Sequence, residues 1–251
     1  MTSMHIDNGE FQALRKLSAA LGADPLRTQG AGGNTSIKQD GIMWIKASGT
    51  WLADALAQDI MTPVCLTPLR KAIADGDLRA AAAIEFVDSS ANPSGLRPSI
   101  ETSMHAIIPS PVVVHIHCVN TIALAVRRDG ESLVRERLRP EADVALAFVP
   151  YRKPGLPLAQ AIAERLTKDT NVFVLANHGL VVAGETVAEV GDRVQRVCEA
   201  FSAPARAAPQ VDMQKLATIV EGGDHRLPQD PAVHSVALDP ESLVIARLGS
   251  L

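Results

Sequence analysis

The run VVVHIHCVN at residues 112–120 constrains the fold more than any other stretch. Its β-branched side chains are stiff and suit a pleated, buried strand. Into that strand the chain inserts His115 and His117. Alternate residues of a strand face the same way, so both imidazoles project from one side of a sheet. Each buried imidazole carries two ring nitrogens that need hydrogen-bond partners or a metal ion. A fold that buries this strand must therefore bring polar groups or a cation to one of its faces.

Strand-like and helix-like segments alternate around it. FQALRKLSAALG reads as an amphipathic helix, with Asp7 or Asn8 as its cap, Phe11, Leu14, Leu17 and Leu21 as its stripe, and Gly22 as its end. SIK and IMWIK are two short strands joined at Asp40-Gly41, a favourable tight-turn pair. ASGTW leads into a helix around LADALA, and LRKAIADGDLRAAAAIEFV is mixed in character. LRPSIETSMHAII is a loop entering a short helix that Ser99 caps and Pro109 ends. ALAFVPY is a further strand, and Pro157 opens a helix with Leu158, Ile162 and Leu166 four apart. NVFVLA and LVVAG flank the turn NHG as a hairpin, and Val187, Val190, Val194, Val197 and Phe201 then mark another helix. Interleaving of this kind places the chain in the α/β class. SAPARAAPQ reads as a linker, so the division expected is a catalytic domain over 1–201 and an extension over 202–251. The closing LVIARLGSL reads as a strand with an abrupt stop, as if the chain were truncated there.

Length and composition narrow the function. A chain of 251 residues can bury a full core, and 47% apolar with 21% charged residues is ordinary for a globular protein. A net charge of −4 gives no basis for binding nucleic acid or an anionic membrane surface, and 3% aromatic residues provide few stacking platforms. No window approaches the roughly 18–20 apolar residues of a membrane helix, and the N-terminus lacks a signal peptide's pattern. Cys65, Cys118 and Cys198 have neither disulfide-framework nor zinc-cysteine spacing, which makes the cytoplasm the default location.

Two imidazoles on one strand face can hold a single metal ion if a third ligand arrives, and His178 in the NHG turn is the candidate. Three histidines would leave positions open on zinc, as in catalytic sites. Packed core histidines with polar neighbours share the same spacing. Glu101, at the start of the ETSMHAII helix, fits either a dipole-favoured first-turn acid or a general base beside the metal. His105 shares its helical face and can hydrogen-bond to it. GAGGNTS and ASGT could expose backbone amides to an anion, although glycine and asparagine around a hairpin usually just make turns.

Taken in order, GGNTS, ASGT, PSIETSMH, VVVHIHCV, VPYRKPG and ANHGLVVAGET resemble the class II aldolase/adducin family over roughly residues 10–200. The resemblance implies a three-layer α/β/α sandwich around a central mixed, largely antiparallel sheet. It implies a homotetramer with sites at subunit contacts and a divalent metal, usually zinc. It places the metal ligands on His115, His117 and His178, the catalytic carboxylate on Glu101, and phosphate-binding positions on Gly33, Asn34, Ser48, Gly49 and Ser99. Two features depart from the pattern. The commoner P-S-S-E is here Pro98-Ser99-Ile100-Glu101, which removes a hydroxyl from the phosphate cradle. Family aldolases use tyrosine proton donors, whereas the single tyrosine here, Tyr151, sits where none is expected.

The activity implied is cleavage of a carbon–carbon bond in a small hydroxy-ketone, a sugar phosphate by preference, through a metal-stabilised enediolate with Glu101 as acid and base. The same site suits a decarboxylase of a 3-oxo acid phosphate or a sugar-phosphate 4-epimerase. An adducin-like interaction module would need none of these ligands. Zinc is the expected ion, and imidazole ligands also suit manganese, iron or cobalt.

Overall fold

The structure, a computed structural model, describes residues 9–203, 212–224, 226–227 and 244. It divides into two units, residues 1–202 and 203–251. In the second, a helix spans Met213–Val220, with the Asp212 carboxylate accepting from the Lys215 amide at 3.1 Å. The Asp7 and Asn8 caps lie outside the described residues, as does LVIARLGSL except for Val244.

Seven strands form one sheet in the first unit: β1 Asn34–Gln39, β2 Ile42–Lys46, β3 Met61–Cys65, β4 Val112–Ile116, β5 Leu146–Val149, β6 Val172–Leu175 and β7 Gly179–Gly184. Their order is β3-β2-β1-β4-β7-β6-β5, and only β5 and β6 pair in parallel. The histidine-bearing β4 is thus the middle strand, and all five of its residues are buried. Asp40 and Gly41, both at positive φ, turn β1 into β2 as the sequence suggests.

Alternation along the strands divides the core into two layers. Val112, Val114 and Ile116 face α1 (Gly9–Ala23), α4 (Val119–Ala125), α5 (Gly130–Leu138) and α7 (Val187–Ala200). Val113 faces the other way, towards α3 (Thr102–Ile107) and α6 (Leu156–Ala163), while α2 (Leu66–Ala74) covers Met43, Ile45 and Val64 on that side. His115 has the parity of Val113 and so lies beneath α3. The result is the expected α/β/α sandwich.

Several local expectations need correction. β3, which is absent from the sequence expectations, contains Pro63, and proline is tolerated there because β3 is an edge strand. LADALA forms one 3-10 turn, Leu52–Leu56, pressed against α1. Gly22 does not end α1, which runs to Ala23; a side chain at Gly22 would overlap the Ala53 backbone. Glu101, not Ser99, occupies the cap position of α3, while the Ser99 hydroxyl accepts from the Glu101 amide at 3.2 Å. All three cysteines are free thiols, and no helix among the described residues is long and apolar enough to cross a membrane.

Candidate metal centre

Three elements converge at the end of β4. His115 is its penultimate residue and His117 follows directly after it. The β6–β7 turn carries His178, with Asn177 before it in the left-handed region (φ 52°). A side chain at Gly179 would overlap the Ile116 carbonyl, so only glycine lets this turn settle against β4. The imidazole centroids of His115 and His178 are 4.9 Å apart, those of His115 and His117 5.0 Å, and those of His117 and His178 5.3 Å.

Glu101 reaches the same point from above, at the start of α3. Its Oε1 lies 3.1 Å from His178 Nε2, and its Oε2 lies 3.4 Å from His115 Nε2. One ligand atom from each of Glu101, His115, His117 and His178 falls within 4.8 Å of the others. The Leu180 carbonyl lies 3.0 Å from His115 Nδ1. A carbonyl only accepts, so Nδ1 of the neutral ring carries the proton and Nε2 presents its lone pair to the cluster.

Buried polar atoms normally find partners. Here Glu101 Oε1, His115 Nε2, His117 Nε2 and His178 Nδ1 are buried without a hydrogen bond. Oε1 is close to the His178 ring without the alignment of a hydrogen bond. Three imidazoles converging in one place, with His115 Nε2 and His117 Nε2 unpartnered and His178 turning Nε2 towards Glu101, fit a divalent cation with a carboxylate beside it.

Electrostatics agree with this arrangement. Burial pushes the His115 pKa down to about 4, against the pull of Glu101, and burial likewise lowers that of His117. Both rings are therefore neutral at pH 7, as a metal ligand must be. Burial by itself would raise the Glu101 pKa, but His115, His178 and the Asn34 amide outweigh it and keep the carboxylate ionised.

The loop residues divide into two groups. Gly33, at φ +64°, packs beneath the His115 carbonyl, and Asn34 pairs opposite His115 across β1 and β4. The Asn34 amide nitrogen donates to Glu101 Oε2 at 2.8 Å and to the Ser99 hydroxyl at 3.2 Å. Ser48 and Gly49 are exposed, joined to the neighbouring strand of chain by the Ser48 amide donating to the Arg97 carbonyl at 2.8 Å. Ile100 is exposed, and so is Tyr151. His105 bonds to Asn34 rather than to Glu101.

Lys46 escaped the sequence reading. It is 2% exposed and donates to the carbonyls of Ala31, Ala47 and Thr50 at 3.1, 3.1 and 2.7 Å, tying the two small-residue loops together. Burial lowers its pKa to about 8, partly offset by the Glu101 charge. The available signal was a lysine ending the apolar run IMWIK directly before ASGT.

Comparison with known proteins places this geometry in a family. The chain is 28% identical over 184 residues to the uncharacterized oxidoreductase YuxG of Bacillus subtilis, covering 67% of this chain and 26% of that protein. It is 32% identical over 117 residues to the 3-oxo-tetronate 4-phosphate decarboxylase of Escherichia coli K12, covering 42% and 54% respectively. These matches span about a quarter and about half of the two relatives' lengths. The N-terminal class II aldolase domain of a Thermoplasma acidophilum protein superposes with a TM-score of 0.66 at 24% identity, over 80% of this chain and 97% of that one. The L-fuculose-1-phosphate aldolase of Thermus thermophilus gives 0.53 at 17%, over 86% and 98%. Residues 12–203 match the profile of the Class II Aldolase and Adducin N-terminal domain, and the chain belongs to that family.

Proposed function

We propose that this chain is a divalent-metal-dependent lyase that breaks a carbon–carbon bond in a small hydroxy-ketone, preferably a sugar phosphate, with His115, His117 and His178 as ligands and Glu101 as acid and base. One observation carries the reading: one ligand atom from each of Glu101, His115, His117 and His178 lies within 4.8 Å of the others, and Glu101 Oε1, His115 Nε2 and His117 Nε2 lack hydrogen-bond partners. A cation held there would act as a Lewis acid towards the substrate's carbonyl oxygen.

The protein's own part follows from the asymmetry of Glu101. Asn34 holds Oε2, while Oε1 has no hydrogen bond and is free to take a proton from a carbon placed beside it and to return it. Glu101 is 6% exposed, and the same neighbours that outweigh its burial keep it in the ionised form that can accept a proton. His117 and His178 are only partly buried, and they mark the side from which a small molecule enters.

The similarity to a 3-oxo-tetronate 4-phosphate decarboxylase favours a second reading, loss of carbon dioxide from a 3-oxo acid phosphate. In that reaction Glu101 would relay a proton taken up from solvent to the carbon that lost the carboxyl group. Zinc-loaded full-length chain should be screened against ketose phosphates and 3-oxo acid phosphates, scoring aldehyde and carbon dioxide separately. Glu101→Gln should keep its zinc content and lose turnover by about 10²- to 10⁴-fold. Turnover retained in that variant would overturn the assignment of Glu101.

A further inference from the structure

The chain of polar contacts behind Glu101 runs deeper than a proton-shuttling carboxylate requires. Asn34 uses its whole amide: its nitrogen donates to Glu101 Oε2 and Ser99 Oγ, and its oxygen Oδ1 meets His105 Nε2. His105 is completely buried, and its Nδ1 lies 2.7 Å from the Ser36 hydroxyl. Asn34 and Ser36 are alternate residues of β1, opposite His115 and Val113 of β4, so the sheet register places both beneath α3. Glu101 at the cap of α3 and His105 one turn further on close the chain from above.

Only one arrangement of protons satisfies every member. A carboxylate only accepts, so the Asn34 nitrogen must face Glu101 and its oxygen must face His105. That oxygen also only accepts, so His105 Nε2 must carry a hydrogen. Burial keeps the ring neutral, which leaves Nδ1 to accept from the Ser36 hydroxyl. Turning the Asn34 amide over would set its carbonyl against the carboxylate and lose the 2.8 Å bond. The Glu101 carboxylate and the proton on His105 Nε2 therefore favour the same amide orientation from its two ends, and that amide holds Oε2 and leaves Oε1 without a hydrogen bond.

We propose that His105 is a positioning residue for Glu101, acting through Asn34, with the Nε2–H tautomer as the working form. The inference rests on the reading of Glu101 as the acid and base of the site. A core histidine that merely fills space would be indifferent to which ring nitrogen carries the proton and to what replaces it. His105 is expected not to be, since glutamine can offer a donor near the place of Nε2, whereas asparagine reaches only the place of Nδ1.

Two measurements test the proposal. In the ¹⁵N-labelled full-length chain, long-range imidazole correlations should show His105 as the Nε2–H tautomer, and the Asn34 side-chain amide should be slowed in exchange with solvent. An Nδ1–H tautomer overturns the proposal without any assay. In the second, His105→Leu and His105→Asn should lose the Asn34 protection and lower kcat by about 10- to 100-fold with KM little changed, whereas His105→Gln should restore both. If His105→Leu fails to fold, the contrast between the glutamine and asparagine variants decides, and equal behaviour of these two overturns the proposal. If Glu101→Gln retains turnover while the Asn34 signals follow the pattern above, the error lies in the role given to Glu101 and not in the hydrogen-bonded chain.

Discussion

Lys46 and Glu101 are two buried charges held by different means, and the difference decides what each can do. Glu101 keeps one oxygen without a hydrogen bond, as the proposed acid and base requires. Lys46 donates to three backbone carbonyls and has no oxygen ligand to offer a cation, so it acts as a clasp between the loops at Ala31 and at Ala47–Thr50. Lys46→Met keeps most of the volume but leaves those carbonyls without their donor. Stability should fall by about 1–3 kcal/mol in urea unfolding at pH 7. A midpoint equal to that of the parent chain would mean that the carbonyls find other donors and that the clasp is dispensable.

Among the elements, β4 and the β6–β7 hairpin were legible in the sequence alone, because a β-branched run and an N-H-G turn between apolar segments are strong local signals. β3 and the 3-10 turn at Leu52–Leu56 were not, since Pro63 and a short alanine-rich stretch take their conformation from their neighbours. The hairpin also shows how an element sets the geometry of a site. Gly179 lets the β6–β7 turn rest on the Ile116 carbonyl, and His178 is the residue just before it. Gly179→Ala should push the turn off β4, cost about 1–3 kcal/mol and weaken zinc binding, as read by calorimetric titration. Zinc affinity unchanged in a folded variant would show that His178 does not depend on this contact.

At the scale of the whole molecule, burying the cluster makes the metal-free protein sensitive to acid. The folded pKa of His115 is about 4 against 6.5 for a free imidazole. Between those values the unfolded chain binds a proton that the folded chain does not, so stability falls as pH drops from 6.5 towards 4. The loss from His115 is on the order of 3 kcal/mol, and His105, also lowered by burial, shifts the balance the same way. A thermal midpoint that stays level from pH 7 to 4.5 in the presence of a chelator would contradict this account. The sequence by itself determined the α/β class, the central strand and the candidate ligands, because strand periodicity and residue chemistry are local properties. Tertiary structure alone decided that Asn34 lies opposite His115, that His105 and Glu101 bond to the two ends of the same Asn34 amide, and that Lys46 is buried. Those relations depend on strand register and on the seating of α3, which join residues as many as 81 positions apart in the chain.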